Sequence, residues 1–186
     1  MSTPTNLRPS ILPRQTSAAA PRWWAPAIAL RSLCQRVISY SGIALLARFS
    51  LAAVFWNSGQ TKIDGLVINL VGGDFQLGWP RLSGSAVALF QDEYKLPLLP
   101  PDIAATLAAT GEHVLALLLL LGLATRLSAL GLLGMTLVIQ LLVYPGAYAT
   151  HGTWAALLLL LIARGPGAFS LDHLLARAGV LPVAQP

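Results

Sequence analysis

"IAATLAATGEHVLALLLLLGLATRLSALG", residues 103–131, is the stretch on which the fold turns. Its uninterrupted apolar part, "VLALLLLLGL", reaches only about 15 Å as a helix, half of the roughly 30 Å hydrocarbon core of a bilayer. The preceding "IAATLAAT" therefore belongs to the same span, and Glu112 and His113 lie within it. Counted from an outer end at Ile103, nine residues place Glu112 about 14 Å deep.

The rest of the chain has the same character. Of 186 residues, 55% are apolar and only 10% charged, against about 25% charged in soluble domains, and the mean hydropathy is +0.68. Apolar runs predict spans at about 39–59, 103–123, 127–144 and 148–163. The connections "ATR" and "PGAYAT" are too short for anything but antiparallel neighbours. The expected fold is all-α, an integral membrane antiparallel four-helix bundle. Residues 60–102 form a long outer loop, because Gly72-Gly73, Trp79-Pro80 and "LPLLPP" at 96–101 argue against another span; "SGSAVALFQDEY" at 83–94 reads as a short surface helix.

A net charge of +5 and a pI near 10.0 invite a nucleic-acid reading, but the folded segments hold no basic cluster interleaved with aromatics. The cations sit at the ends of apolar runs. Arg8, Arg14, Arg22, Arg31 and Arg36 fall in a proline-rich, acid-free segment, so 1–38 reads as a disordered basic arm, a composition shared with organellar presequences. Arg126, Arg164 and Arg177 fall on the same side, and the positive-inside rule puts both termini, including the 176–186 tail, in the cytoplasm. The chain is expected as a multi-pass protein of a bacterial inner membrane, in contact with lipid and with no nucleic-acid partner. Trp56, Trp79, Tyr144, Tyr148 and Trp154 fit an outer aromatic belt. Cys34 is the single cysteine, so the chain has no disulfide or CxxC pair, and no metal site is expected.

Arg48 is the only charge in the first apolar run. It lies 8 to 11 residues from that run's outer end, about 12 to 17 Å, which matches the depth of Glu112. A charge facing lipid at mid-bilayer costs at least about 2.5 kcal/mol, so the two are expected to turn inward and pair. Two readings of an Arg48–Glu112 pair stay open: it borders a polar cavity for a quinone or a proton relay, or it only fixes helix register. His113, Gln140 and His151 join them as candidate cavity residues, with His113 pointing about 100° away from Glu112. The histidines suit a relay or an interfacial position; haem ligation has no attachment motif behind it. Lys62, Arg126 and Asp172 are assigned structural or topological roles.

"LLARFSLAAVFWNSGQTKI" at 45–63, "GEHVLALLLLLGLATRLSALGLLGM" at 111–135 and "RGPGAFSLDHLL" at 164–175 together resemble the DoxX family of four-helix bacterial membrane proteins. The positions that carry the resemblance are Arg48, Gly59, Lys62, Glu112, the "GLxTR" residues Gly122, Thr125 and Arg126, and the "GPGxxSLD" residues Gly165 to Asp172. Within the family, "FQDEYKLPLLPPDIAA" at 90–105 and "LVIQLLVYPGAYATHGTWAALLLL" at 137–160 look like a subgroup encoded beside DUF692-type peptide-modifying iron enzymes. The resemblance implies a membrane subunit of an oxidoreductase or of a stress or metal-detoxification system, quinone-linked in some relatives, with soluble or membrane partners from the same operon. The alternative is a non-enzymatic scaffold or a component of a small-solute transporter.

Overall fold

The computed structural model describes residues 39–69 and 72–180. The basic arm 1–38 and the end of the expected tail lie outside the described residues. Among the described residues, four helices are long and apolar enough to cross a membrane: α1 (Tyr40–Gln60), α3 (Pro101–Leu121), α4 (Thr125–Val138, continued by a π-helical turn Ile139–Val143) and α5 (Tyr148–Arg164, entered through a 3-10 turn Pro145–Ala147). The chain is a multi-pass membrane protein built as a helical bundle.

All four helices meet in one core. Ala44, Ala47, Leu51, Ala52 and Phe55 of α1 pack with Ala116 and Leu119 of α3, Ala129 and Leu132 of α4, and Leu158 and Leu161 of α5. The alanines let α1 and α3 approach closely, the usual means of packing helices where lipid tails compete with leucine for apolar contact. The larger apolar side chains point the other way: Leu46, Phe49, Leu127 and Leu141 are exposed. A water-soluble domain rarely shows such a continuous apolar girdle, and here lipid covers it.

Residues 60–102 are more ordered than a loop. Strand β1 (Ile63–Asp64) pairs antiparallel with β4 (Arg81–Leu82), and between them β2 (Val67–Asn69) pairs with β3 (Asp74–Gln76). The short helix expected at 83–94 is α2 (Gly84–Leu89), capped by the Ser83 hydroxyl and extended by a π-helical turn, Phe90–Tyr94. Ala86 and Phe90 seat it on Ala104 and Ala105 in the N-terminal half of α3.

At the opposite end, α3 stops at Gly122, whose φ of 69° is a conformation glycine adopts at no steric cost. Leu123 N–H donates to Leu118 O and Gly122 N–H to Leu119 O, a Schellman closure. The next helix starts at once because Asp172, from α6 (Leu171–Arg177), accepts from the Ala124 and Thr125 N–H groups at 2.8 and 2.9 Å. These are otherwise orphan donors at the positive end of α4. Asp172→Ala should therefore cost about 1 to 2 kcal/mol, seen as a lower unfolding midpoint in detergent. Helix α6 also runs through 176 and 177, which the sequence reading assigned to the tail.

Candidate functional site

The depth-matched partner of Glu112 is Lys62, and the expected Arg48–Glu112 pair is corrected. Lys62 Nζ lies 2.8 Å from Glu112 Oε2 and donates to Glu112 Oε1 at 3.0 Å. Both side chains are buried, at 4% and 2% exposure. Arg48, equally buried, donates from Nη2 to Phe169 O near the other end of the bundle, with Asp172 as a compensating negative charge.

The reason is a stagger between antiparallel helices. Gly59 of α1 abuts Glu112 and His113 of α3, while Gly122 at the end of α3 abuts Arg48. Ten to eleven residues separate the two levels, about 15 to 16 Å along the axis. Glu112 is midway along α3 but level with the C-terminal end of α1. The expected pairing assumed that the outer ends of the two helices are aligned, and α3 instead runs about 16 Å beyond that of α1.

Local chemistry explains why Lys62 turns inward. It follows the last turn of α1, where carbonyls have no helical partner and carry the negative end of the helix dipole. Its ammonium donates to Ser58 O at 3.1 Å and Ser58 Oγ at 3.0 Å as well as to Glu112. Ser58 Oγ donates in turn to Glu112 Oε1 at 2.9 Å. All three ammonium protons are thus engaged. Glu112 Oε2 lies nearest the ammonium, at 2.8 Å, without a well-aligned hydrogen bond.

Above the pair lies an elongated cleft of about 290 Å³ between α3 and α4, roofed by Phe90, Tyr94, Leu96 and Leu99. Ala104, Leu107 and Ala108 form one wall; Met135, Val138 and Ile139 form the other. Leu107 and Val138 are exposed at its rim, so it opens sideways toward lipid. Burial, followed by the charges of Glu112 and Glu93, pushes the Tyr94 phenol up, so it remains a proton donor across the neutral range. Tyr144 OH donates to Glu93, which pushes the Tyr144 phenol up to about 12 and ties the π-helical turn of α4 to that of α2.

The other expected cavity residues are not gathered here. His113 is held between Ala109 O, 2.7 Å from Nδ1, and Gln60 Nε2, 2.9 Å from Nε2. A carbonyl only accepts, so Nδ1 carries the proton and Nε2 accepts from the Gln60 amide. Gln60 Oε1 accepts from Ile68 N–H, and Trp56, edge-on to the imidazole, donates to Ile68 O. His113 therefore anchors the β2 strand to the bundle. Gln140 and His151 form a third group: His151 Nδ1 is 2.8 Å from Gln140 Oε1, and Gln140 Nε2 donates to Pro145 O. Arg48, Glu112, His113 and the Gln140–His151 pair thus stand in four separate places. Lys62, assigned to topology from the sequence, is the residue that reading missed; the signal was its place with Gly59 and Glu112 in the resemblance.

Compared with curated proteins and with solved structures, the chain has no match. The family model DoxX matches residues 43–145, more than half of the 186, and covers α1 from residue 43, the 60–102 segment, α3 and α4, with Lys62 and Glu112. The chain belongs to the DoxX family.

Proposed function

We propose that the chain is the membrane subunit of an oxidoreductase or detoxification system and that the α3–α4 cleft holds the headgroup of a membrane quinone. The observation carrying this reading is the buried Lys62–Glu112 pair at the floor of an apolar cleft that opens toward lipid. A flat ring with an isoprenoid tail suits such a cleft: Phe90, Tyr94 and Met135 would hold the ring, and Leu107 and Val138 would flank the tail. When bound, a quinone supplies uptake and release of electrons coupled to protons. The chain's own part is to bind and to handle protons. The Glu112 carboxylate would accept a hydrogen bond from a headgroup, Lys62 holds that carboxylate in place at the floor of the cleft, and Tyr94 would supply a donor. Partners encoded nearby, such as a peptide-modifying iron enzyme, would hold the electron carriers. The cation distribution supports a bacterial inner-membrane location with both termini cytoplasmic.

A second reading, a scaffold or small-solute transporter component, draws support from Phe75, Leu77, Trp79 and Leu98, large apolar side chains exposed in the outer segment where a partner can dock. One experiment separates the two. Protein extracted from native membranes in mild detergent is expected to carry quinone at close to one per chain. Ala108→Phe, which fills the cleft, should lower that content about tenfold or more, since displacing a whole headgroup forfeits several kcal/mol of contact. No co-extracted quinone, together with no thermal response to a short-chain quinone, contradicts the first reading. Retained crosslinking to outer-segment partners in that case favours the scaffold.

A further inference from the structure

A second pocket, of about 460 Å³, lies at the opposite end of the bundle from the Lys62–Glu112 cleft. It is formed where α3 turns into α4 and where α5 ends in the Gly165–Pro166–Gly167 turn, with Tyr40 of α1 on its wall. Two arginines line it. The Arg164 guanidinium stacks over the Tyr40 ring at 5.0 Å, and Tyr40 OH donates to Gly165 O, so one face of the guanidinium is fixed while its N–H fork stays free. Arg126 lies against Gly165, its Nη2 3.8 Å from where a Cβ would stand. Neither arginine makes an ion pair or a hydrogen bond among the described residues.

The one carboxylate in the pocket, Asp172, gives both oxygens to the Ala124 and Thr125 N–H groups and forms no ion pair with either arginine among the described residues. Thr125 adds a further unmet need. It is fully buried, it lines the pocket, and its Oγ1 has no hydrogen-bond partner. A concave site with two unpaired guanidinium forks and an unpartnered hydroxyl is complementary to a tetrahedral oxyanion. Its position matters as well: Arg164 is the last residue of α5 and Arg126 the second of α4, so both stand at the headgroup level of the bilayer.

We propose that this pocket binds the phosphate group of an anionic phospholipid, with Arg126 and Arg164 gripping the phosphate oxygens and Thr125 adding a hydroxyl contact. Basic pockets between helices at this level are where lipid phosphates bind. Arginines that only snorkel would need no shared concavity, no stacked ring and no unsatisfied threonine.

The test uses the full chain in nanodiscs of phosphatidylcholine doped with phosphatidylglycerol, with lipids retained after detergent extraction measured by native mass spectrometry. Phosphatidylglycerol is expected to be enriched about tenfold over its bulk fraction, the effect of one strong charge-assisted contact. The Arg126→Lys/Arg164→Lys variant preserves both charges and hence insertion, but loses the forked geometry; its enrichment should fall several-fold. Equal enrichment in the lysine variant would reduce the effect to surface charge and overturn the site. Protection from thermal unfolding by inorganic phosphate alone, with no lipid retained, would assign the pocket to a soluble phosphate and overturn the lipid.

Discussion

Gly122→Ala should destabilise the bundle by about 2 to 5 kcal/mol, the sum of forcing a non-glycine residue into the left-handed region and overpacking a filled site. The added Cβ would stand 1.8 Å from Arg48 Nη1 and 2.6 Å from Ser170 Cβ, at a φ of 69°. A long side chain with room to move would absorb such a clash, but Arg48 is 1% exposed and bonded to Phe169 O. Displacing it breaks that bond inside a medium where no water replaces it. Guanidinium would also be pushed away from Asp172, which holds the start of α4. The expected readout is a large fall in the unfolding midpoint in detergent; a midpoint within a degree or two of wild type would show that Arg48 has space.

Lys62→Met should be comparably severe, about 3 to 5 kcal/mol, because it leaves Glu112 as an uncompensated buried charge. The apolar stem fits where lysine was, so the loss comes from charge rather than volume. Restoring neutrality with Glu112→Gln in the same chain should recover much of it. Quinone content is expected to fall in the single and double variants alike, since the first removes the ammonium at the floor of the cleft and the second the carboxylate as well; stability recovering while occupancy stays low would separate the ligand-binding role of the pair from its part in folding.

How far the sequence could be read follows from which forces are local. The number of spans was legible because helix length is set by bilayer thickness, and "VLALLLLLGL" is too short alone; that same length argument placed Glu112 inside α3. The membership of Arg48, Glu112 and Lys62 in one family pattern was legible too. Their pairing was not. It depends on the stagger of α1 against α3, which is set by the glycine contacts at 59 and 122 and by the way Phe169 and Ser170 close beneath Arg48. No periodicity within one helix encodes an offset between two. The β1–β4 and β2–β3 pairs escaped notice because strands of two or three residues carry no alternation to detect. Gln140 and His151 were legible as outer-half polar residues, yet that they bond each other rather than Glu112 is a matter of which helices adjoin.

The most direct measurement is a pair of double-mutant cycles on unfolding free energy in detergent, one crossing Lys62→Met with Glu112→Gln and the other crossing Arg48→Met with Glu112→Gln. Residues in one buried network couple by about 0.5 to 3 kcal/mol, whereas sites more than 7 to 10 Å apart add to within about 0.5. Strong coupling for Lys62 with Glu112 and additivity for Arg48 with Glu112 are expected from the staggered helices. Coupling of Arg48 with Glu112, and none with Lys62, would contradict the pairing and with it the floor of the proposed quinone site.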